Sequence, residues 1–139
     1  MTEVEAFETL ALHSGSSPNV DDPRFDCGFL GSLRPYKGTL DENNFREVMD
    51  AMLTLRTRMM IPGKIGLEAI KDVHRILDLA RHWALHPEGM LRRNNLIEEG
   101  EMDQMSEWLN IMSGTWKWIL DGADDETILG QYNEYKARG

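Results

Sequence analysis

Cysteine is almost missing from this chain: Cys27 stands alone among 139 residues. That excludes an intramolecular disulfide and fits a reducing compartment. Long apolar runs are missing as well, and none approaches the roughly 20 residues needed to cross a bilayer. The opening MTEVEAFETL is acidic and has neither the basic nor the apolar region of a secretory signal, so a cytoplasmic location is expected. HExxH and CxxC do not occur. PGKIG at 62–66 lacks the GxxxxGK[ST] spacing of a phosphate loop, with no strand before it. Internal repeats, a sustained heptad and low-complexity runs are absent too.

Positive charge is scarce. Fifteen Lys and Arg against 24 Asp and Glu leave a formal net charge of −9. Nucleic-acid binding relies on neutralising phosphates with Lys and Arg, and anionic lipid surfaces repel acidic chains, so neither partner is expected. The pair Arg92-Arg93 is too short to change that. The charge suits solubility and a basic protein partner. Hydrophobic residues at 41% and charged residues at 28% are ordinary for a globular chain, and the length suits one domain, 1–139.

What is present is helical periodicity. Val4, Phe7, Leu10 and Ala11 predict a first helix within 1–13. Residues 13–38 are dense in Gly, Pro, Ser and Asp, an irregular arm too long for a plain connector. Its cluster Phe25, Phe29, Leu30, Leu33 and Tyr36 predicts that the arm is ordered against the helices. A weak alternating pattern over 24–33 is its one hint of a strand. Thr39 or Asp41 can cap a helix over about 41–60 whose apolar face is Phe45, Val48, Met49, Met52, Leu53, Leu55 and Met59, closed by Pro62-Gly63. A further helix spans about 66–85, with Ile70, Val73, Leu77, Ala80 and Ala84 centring its core face and Ile76 and Trp83 at one margin. A short turn near 88–95 precedes a helix over about 99–121. Asp124 or Asp125 can cap a last helix bearing Ile128, Tyr132 and Tyr135. The fold class is therefore all-α: a four- or five-helix bundle, with helical core 39–136 and an irregular Gly/Pro-rich N-terminal arm.

Candidate sites divide into three. His74, Asp78, His82 and His86 step by four residues, a spacing that can share a metal, but each step drifts about 40° around the helix. His82 and His86 are the metal candidates, and no third ligand is picked out, so no metal or cofactor is expected. Cys27 in FDCGFLG could be a nucleophile with His13 as base and Arg34 nearby; a buried structural cysteine beside Phe25 and Phe29 is the expectation instead. Arg56 falls at the centre of an apolar face in a last helical turn, where it either snorkels outward or meets a buried acid. The acids at 41–42, 98–101 and 124–126 sit at helix starts and suit the dipole there.

The third feature is the 101–121 helix. Met102, Met105, Leu109, Met112, Trp116, Ile119 and Leu120 make one stripe, while Ile111 and Trp118 point away from it. Such a helix needs a second surface, inside the chain or on a partner. Nine methionines and four tryptophans suit either, since Met adapts to irregular surfaces and Trp is enriched at interface hot spots. The functional expectation is a non-enzymatic, acidic interaction module, as an inhibitor, immunity factor or adaptor would be. Its partner face is assigned to Trp118, Ile111, Asp103, Glu107 and Trp108. The rivals are a small metal-binding or cysteine-dependent enzyme using the 13–38 loop or the His82/His86 pair, and a homodimer through the Trp/Met surface.

Overall fold

The computed structural model describes residues 1–60 and 66–138. Among them there is no strand, and five helices of 12 to 22 residues carry the bundle, with two short ones between. Helix α1 (Glu3–Ser14) starts where Thr2 accepts the Glu5 N–H at 3.1 Å. It stops where Gly15, at φ 76°, swings into the left-handed region and returns its N–H to the last carbonyls. Its buried face is Ala6, Thr9, Leu10 and His13, whereas Val4 is exposed and Phe7 and Ala11 are half-buried. Leu12 and Ser14 are buried too, because α1 packs on both α3 and α4.

The arm is ordered. Asp22 caps helix α2 (Pro23–Cys27) by accepting the Arg24 N–H at 2.9 Å, and a 3₁₀ turn follows over Gly31–Leu33, in place of any strand. Phe29, Leu30 and Leu33 join the core. Asp41 caps helix α3 (Glu42–Leu55) through the Asn43 N–H, and its expected apolar face is buried from Phe45 to Leu55. The chain tightens into a 3₁₀ turn over Arg56–Met60. The stop expected at Pro62-Gly63 and the side chain of Met59 fall outside the described residues.

Helix α4 (Leu67–Ala80) is rotated from the expected face. Ala69, Asp72, Val73, Ile76 and Ala80 are buried, while Ile70 is exposed and Leu77 only half-buried. Large apolar side chains dominate a periodicity reading, but a close helix contact is set by small ones such as Ala69 and Ala80. A π turn over Arg81–Leu85 follows, in which the His86 N–H reaches back to the Arg81 carbonyl at 3.1 Å. Gly89 is needed beyond it, because a Cβ there would collide with the His82 backbone carbonyl. Helix α5 (Met90–Arg93) is short. Helices α6 (Glu99–Leu120) and α7 (Asp125–Arg138) then form a hairpin, opened by a Glu98/Glu101 capping box and by Asp124 accepting the Thr127 N–H at 2.9 Å.

Candidate functional site

The hairpin of α6 and α7 answers the question its sequence poses. Trp108 is buried, stacks on Phe45 with ring centroids 5.3 Å apart, and donates its indole N–H to the Tyr135 hydroxyl at 3.0 Å. Tyr135 in turn donates to Glu42, and Phe45 meets Tyr132 and Tyr135 edge-on. Burial and that hydrogen bond raise the Tyr135 hydroxyl above its ordinary pKa, while the same bond lowers the Glu42 carboxyl. Ile111 is also buried, in the same core. The second surface required by α6 is thus supplied within the chain for Trp108 and Ile111, and neither lies open as a contact face. Of the two residues expected to point away from the stripe, Ile111 is covered by this chain itself and Trp118 is 38% exposed.

Three of the five assigned residues nevertheless meet in one place. Asp103, Glu107 and the edge of Ile111 line a groove of about 750 Å³ with Gln131, Glu134 and Arg138 across from them on α7. Gly114 lets the Gln131 side chain lie against α6, where a Cβ would displace it. Arg138 places a guanidinium nitrogen 2.7 Å from Glu107 and lies 5.4 Å from the Tyr135 ring centroid. Asp103 and Glu134 make no ion pair among the described residues. Trp118 lies outside the groove, 38% exposed, with the Lys117 ammonium 4.0 Å from its ring centroid.

Charge is concentrated on this hairpin. From Glu98 to Arg138 there are ten carboxylates and three bases, Lys117, Lys136 and Arg138, a net of −7 out of the chain's −9. Counting charge over the whole chain hides this; counting it by predicted helix would have found it.

The other candidate sites resolve differently. Cys27 is exposed, contrary to the buried position expected for a lone cysteine. Short α2 turns it into a cleft of about 460 Å³ that also holds Arg34, Lys37 and Asp41, while Phe29 takes the core position. The glycine after it serves packing: a Cβ on Gly28 would strike the Arg24 carbonyl and crowd the His13 ring. His13 is fully buried. Its Nδ1 accepts the Phe29 N–H at 2.8 Å, and its Nε2 faces Glu47 Oε2 at 3.6 Å, long for a hydrogen bond. With Nδ1 engaged by the backbone and Nε2 turned to Glu47, the imidazole is committed to holding the arm rather than to taking a thiol proton. His13 and then Arg24, whose guanidinium lies 3.6 Å away, hold the Glu47 carboxyl below its usual range.

His82 and His86 lie in the π turn with rings 5.3 Å apart, sharing a shallow hollow with Asp78 and Arg81. His86 Nδ1 accepts the Glu88 N–H at 3.0 Å, so the neutral ring carries its proton on Nε2 and offers no lone pair there. Among the described residues no group of three metal-ligating side chains assembles. Arg56 reaches outward: its guanidinium donates to the Leu53 carbonyl at 2.6 Å and pairs at 3.1 Å with Asp125, which is itself exposed.

One polar centre gave no pattern signal. Asp72 is buried in the stripe Ala69–Val73–Ile76, with the hydroxyls of Ser14 and Ser16 at 2.9 and 2.7 Å from its Oδ1. Arg75 donates to the Ser14 carbonyl at 2.8 Å. The expected core face of Ile70, Val73 and Leu77 did not include position 72, so nothing in the periodicity marked it as buried.

No known protein-family model, characterised protein or solved structure matches the chain.

Proposed function

We propose that this chain is a non-enzymatic interaction module that holds a basic protein partner on the outer face of α6 and α7. The observation that carries the reading is the groove itself: Asp103, Glu107 and Glu134 line it around Ala137 and the one edge that Ile111 shows, in the segment that holds most of the net charge. The commitment of His13 to the arm supports it further, because the most plausible nucleophile–base pair of the sequence is spent on structure.

The physics divides the labour. The groove's three carboxylates against one arginine, set in a segment of net charge −7, attract a basic surface over about one Debye length, roughly 8 Å at physiological salt, and so raise the association rate. Exposed ion pairs contribute only about 0.2–1 kcal/mol each, so retention depends on apolar contact with Ala137, the edge of Ile111 and the exposed Trp118. An inhibitor, an immunity factor or an adaptor would all use such a surface.

The test is affinity capture with wild type, with Asp103→Asn, Glu107→Gln and Glu134→Gln combined, and with Trp118→Glu, after matching their circular dichroism. The expected outcome is a basic protein retained by wild type, eluted by salt and lost from the neutralised variant. A partner held equally by wild type and neutralised protein would move the site elsewhere. A protein that retains nothing and sediments as a monomer would remove the reading, and a dimer abolished by Trp118→Glu would replace it with self-association.

A further inference from the structure

Resting on that reading, we infer that the partner presents an amphipathic basic helix and that Arg138 occupies its place until it arrives. Among the described residues lining the groove, Arg138 is the one basic side chain. Its guanidinium sits as a partner's arginine would: 2.7 Å from Glu107, and within cation–π range of the Tyr135 ring at 5.4 Å. The pair is loosely held. The Arg138 side chain is 61% exposed and that of Glu107 37%, so solvent screens their attraction and a competing cation can exchange for it.

The spacing of the groove selects the shape of the occupant. Asp103 and Glu107 stand one turn apart on α6, about 6 Å along its axis. Ile111 follows one turn later, buried but for the edge it shows to the groove. A helix lying along α6 with cations at i and i+4, and an apolar residue one turn beyond, repeats that order. Glu134 closes the opposite rim with a carboxylate that has no ion-pair partner among the described residues. A duplex or an anionic vesicle is disfavoured on the same surface, because the net charge of the hairpin repels both.

Fluorescence polarisation with a labelled helical peptide tests this. The peptide carries two arginines four residues apart and a leucine one turn further; the control shuffles the same residues onto different faces. The patterned peptide should bind wild type, and the shuffled one more weakly. Arg138→Gln should bind the patterned peptide about three- to fivefold tighter, the equivalent of freeing one exposed ion pair. Arg138→Lys should return to wild-type affinity, and Glu107→Gln should bind more weakly. Unchanged or weaker binding by a folded Arg138→Gln overturns the role of Arg138 and leaves the docking face standing. Equal binding of both peptides overturns the helical spacing. No binding by any variant, wild type included, overturns the docking face itself.

Discussion

The N-terminal half and the C-terminal hairpin spend their polar groups in opposite ways. Outside 98–138 the chain carries 14 carboxylates and 12 bases, close to balance, and many of them work inward. Asp72 receives two serine hydroxyls, Arg75 holds the end of α1, Arg24 bridges Asp22 and Glu47, and Arg58 pairs with Glu3 at 3.1 Å. The hairpin buries aromatic rings and leaves its carboxylates outside. Charge that is paired and partly buried fixes a fold; on the hairpin acids outnumber bases ten to three, and carboxylates such as Asp103 and Glu134, with no ion pair among the described residues, are available to something else. That contrast locates the proposed function in α6 and α7.

The contrast breaks most readily at the aromatic stack. Trp108→Ala removes the ring on Phe45 and leaves Tyr135 without its indole donor. A loss of about 3–5 kcal/mol is expected, enough to threaten folding at body temperature. Thermal melts followed by circular dichroism measure it. A loss below about 1 kcal/mol would mean that Trp108 is not the centre of the hairpin's packing and is free to serve a partner after all.

The polar half should yield less, and through a different cause. Asp72→Ala leaves the hydroxyls of Ser14 and Ser16 without their buried acceptor, a cost of about 1–3 kcal/mol. Asp72→Asn keeps an acceptor oxygen in place and should recover part of it. Urea unfolding of the two variants separates these outcomes. If Asn is as damaging as Ala, the carboxylate charge matters beyond its hydrogen bonds, through Arg75 one turn away.

These residues also show what could be read before any coordinates. The face of α3 and the caps Asp41 and Asp124 were legible because large apolar spacing and short polar side chains act locally. Although Leu120, assigned to the stripe of α6, is 37% exposed, that stripe was legible in Met105, Leu109, Met112, Trp116 and Ile119, all buried. What covers Ile111 was not, because periodicity gives an angle and says nothing about the neighbour. The phase of α4 was missed because Ala69 and Asp72 decide it, one too small and one too polar to weigh in a hydrophobic pattern. Cys27 was misplaced because a compositional tendency toward burial cannot see that Phe29, two residues on, takes the core position. The groove needed both helices: Asp103 and Glu107 were chosen on α6, but Glu134 and Arg138 reach them only through the turn at 121–124.

The smallest expected effect sharpens the comparison through pH. Glu47 is held below its ordinary range by the imidazole of His13 and by Arg24. Its folded value therefore lies under the unfolded one, about 4.3. The stability it contributes is present in full above that value and is lost as pH falls through the lower folded value. With the side chain 38% exposed, solvent screening limits the contribution to about 0.5 kcal/mol. Glu47→Gln should therefore show a flatter fall in stability between about pH 5 and 3 than wild type, with little change at neutral pH. An acid limb unchanged by Glu47→Gln would mean that this paired carboxylate does not hold the fold at low pH, and would remove it from the structural side of the comparison.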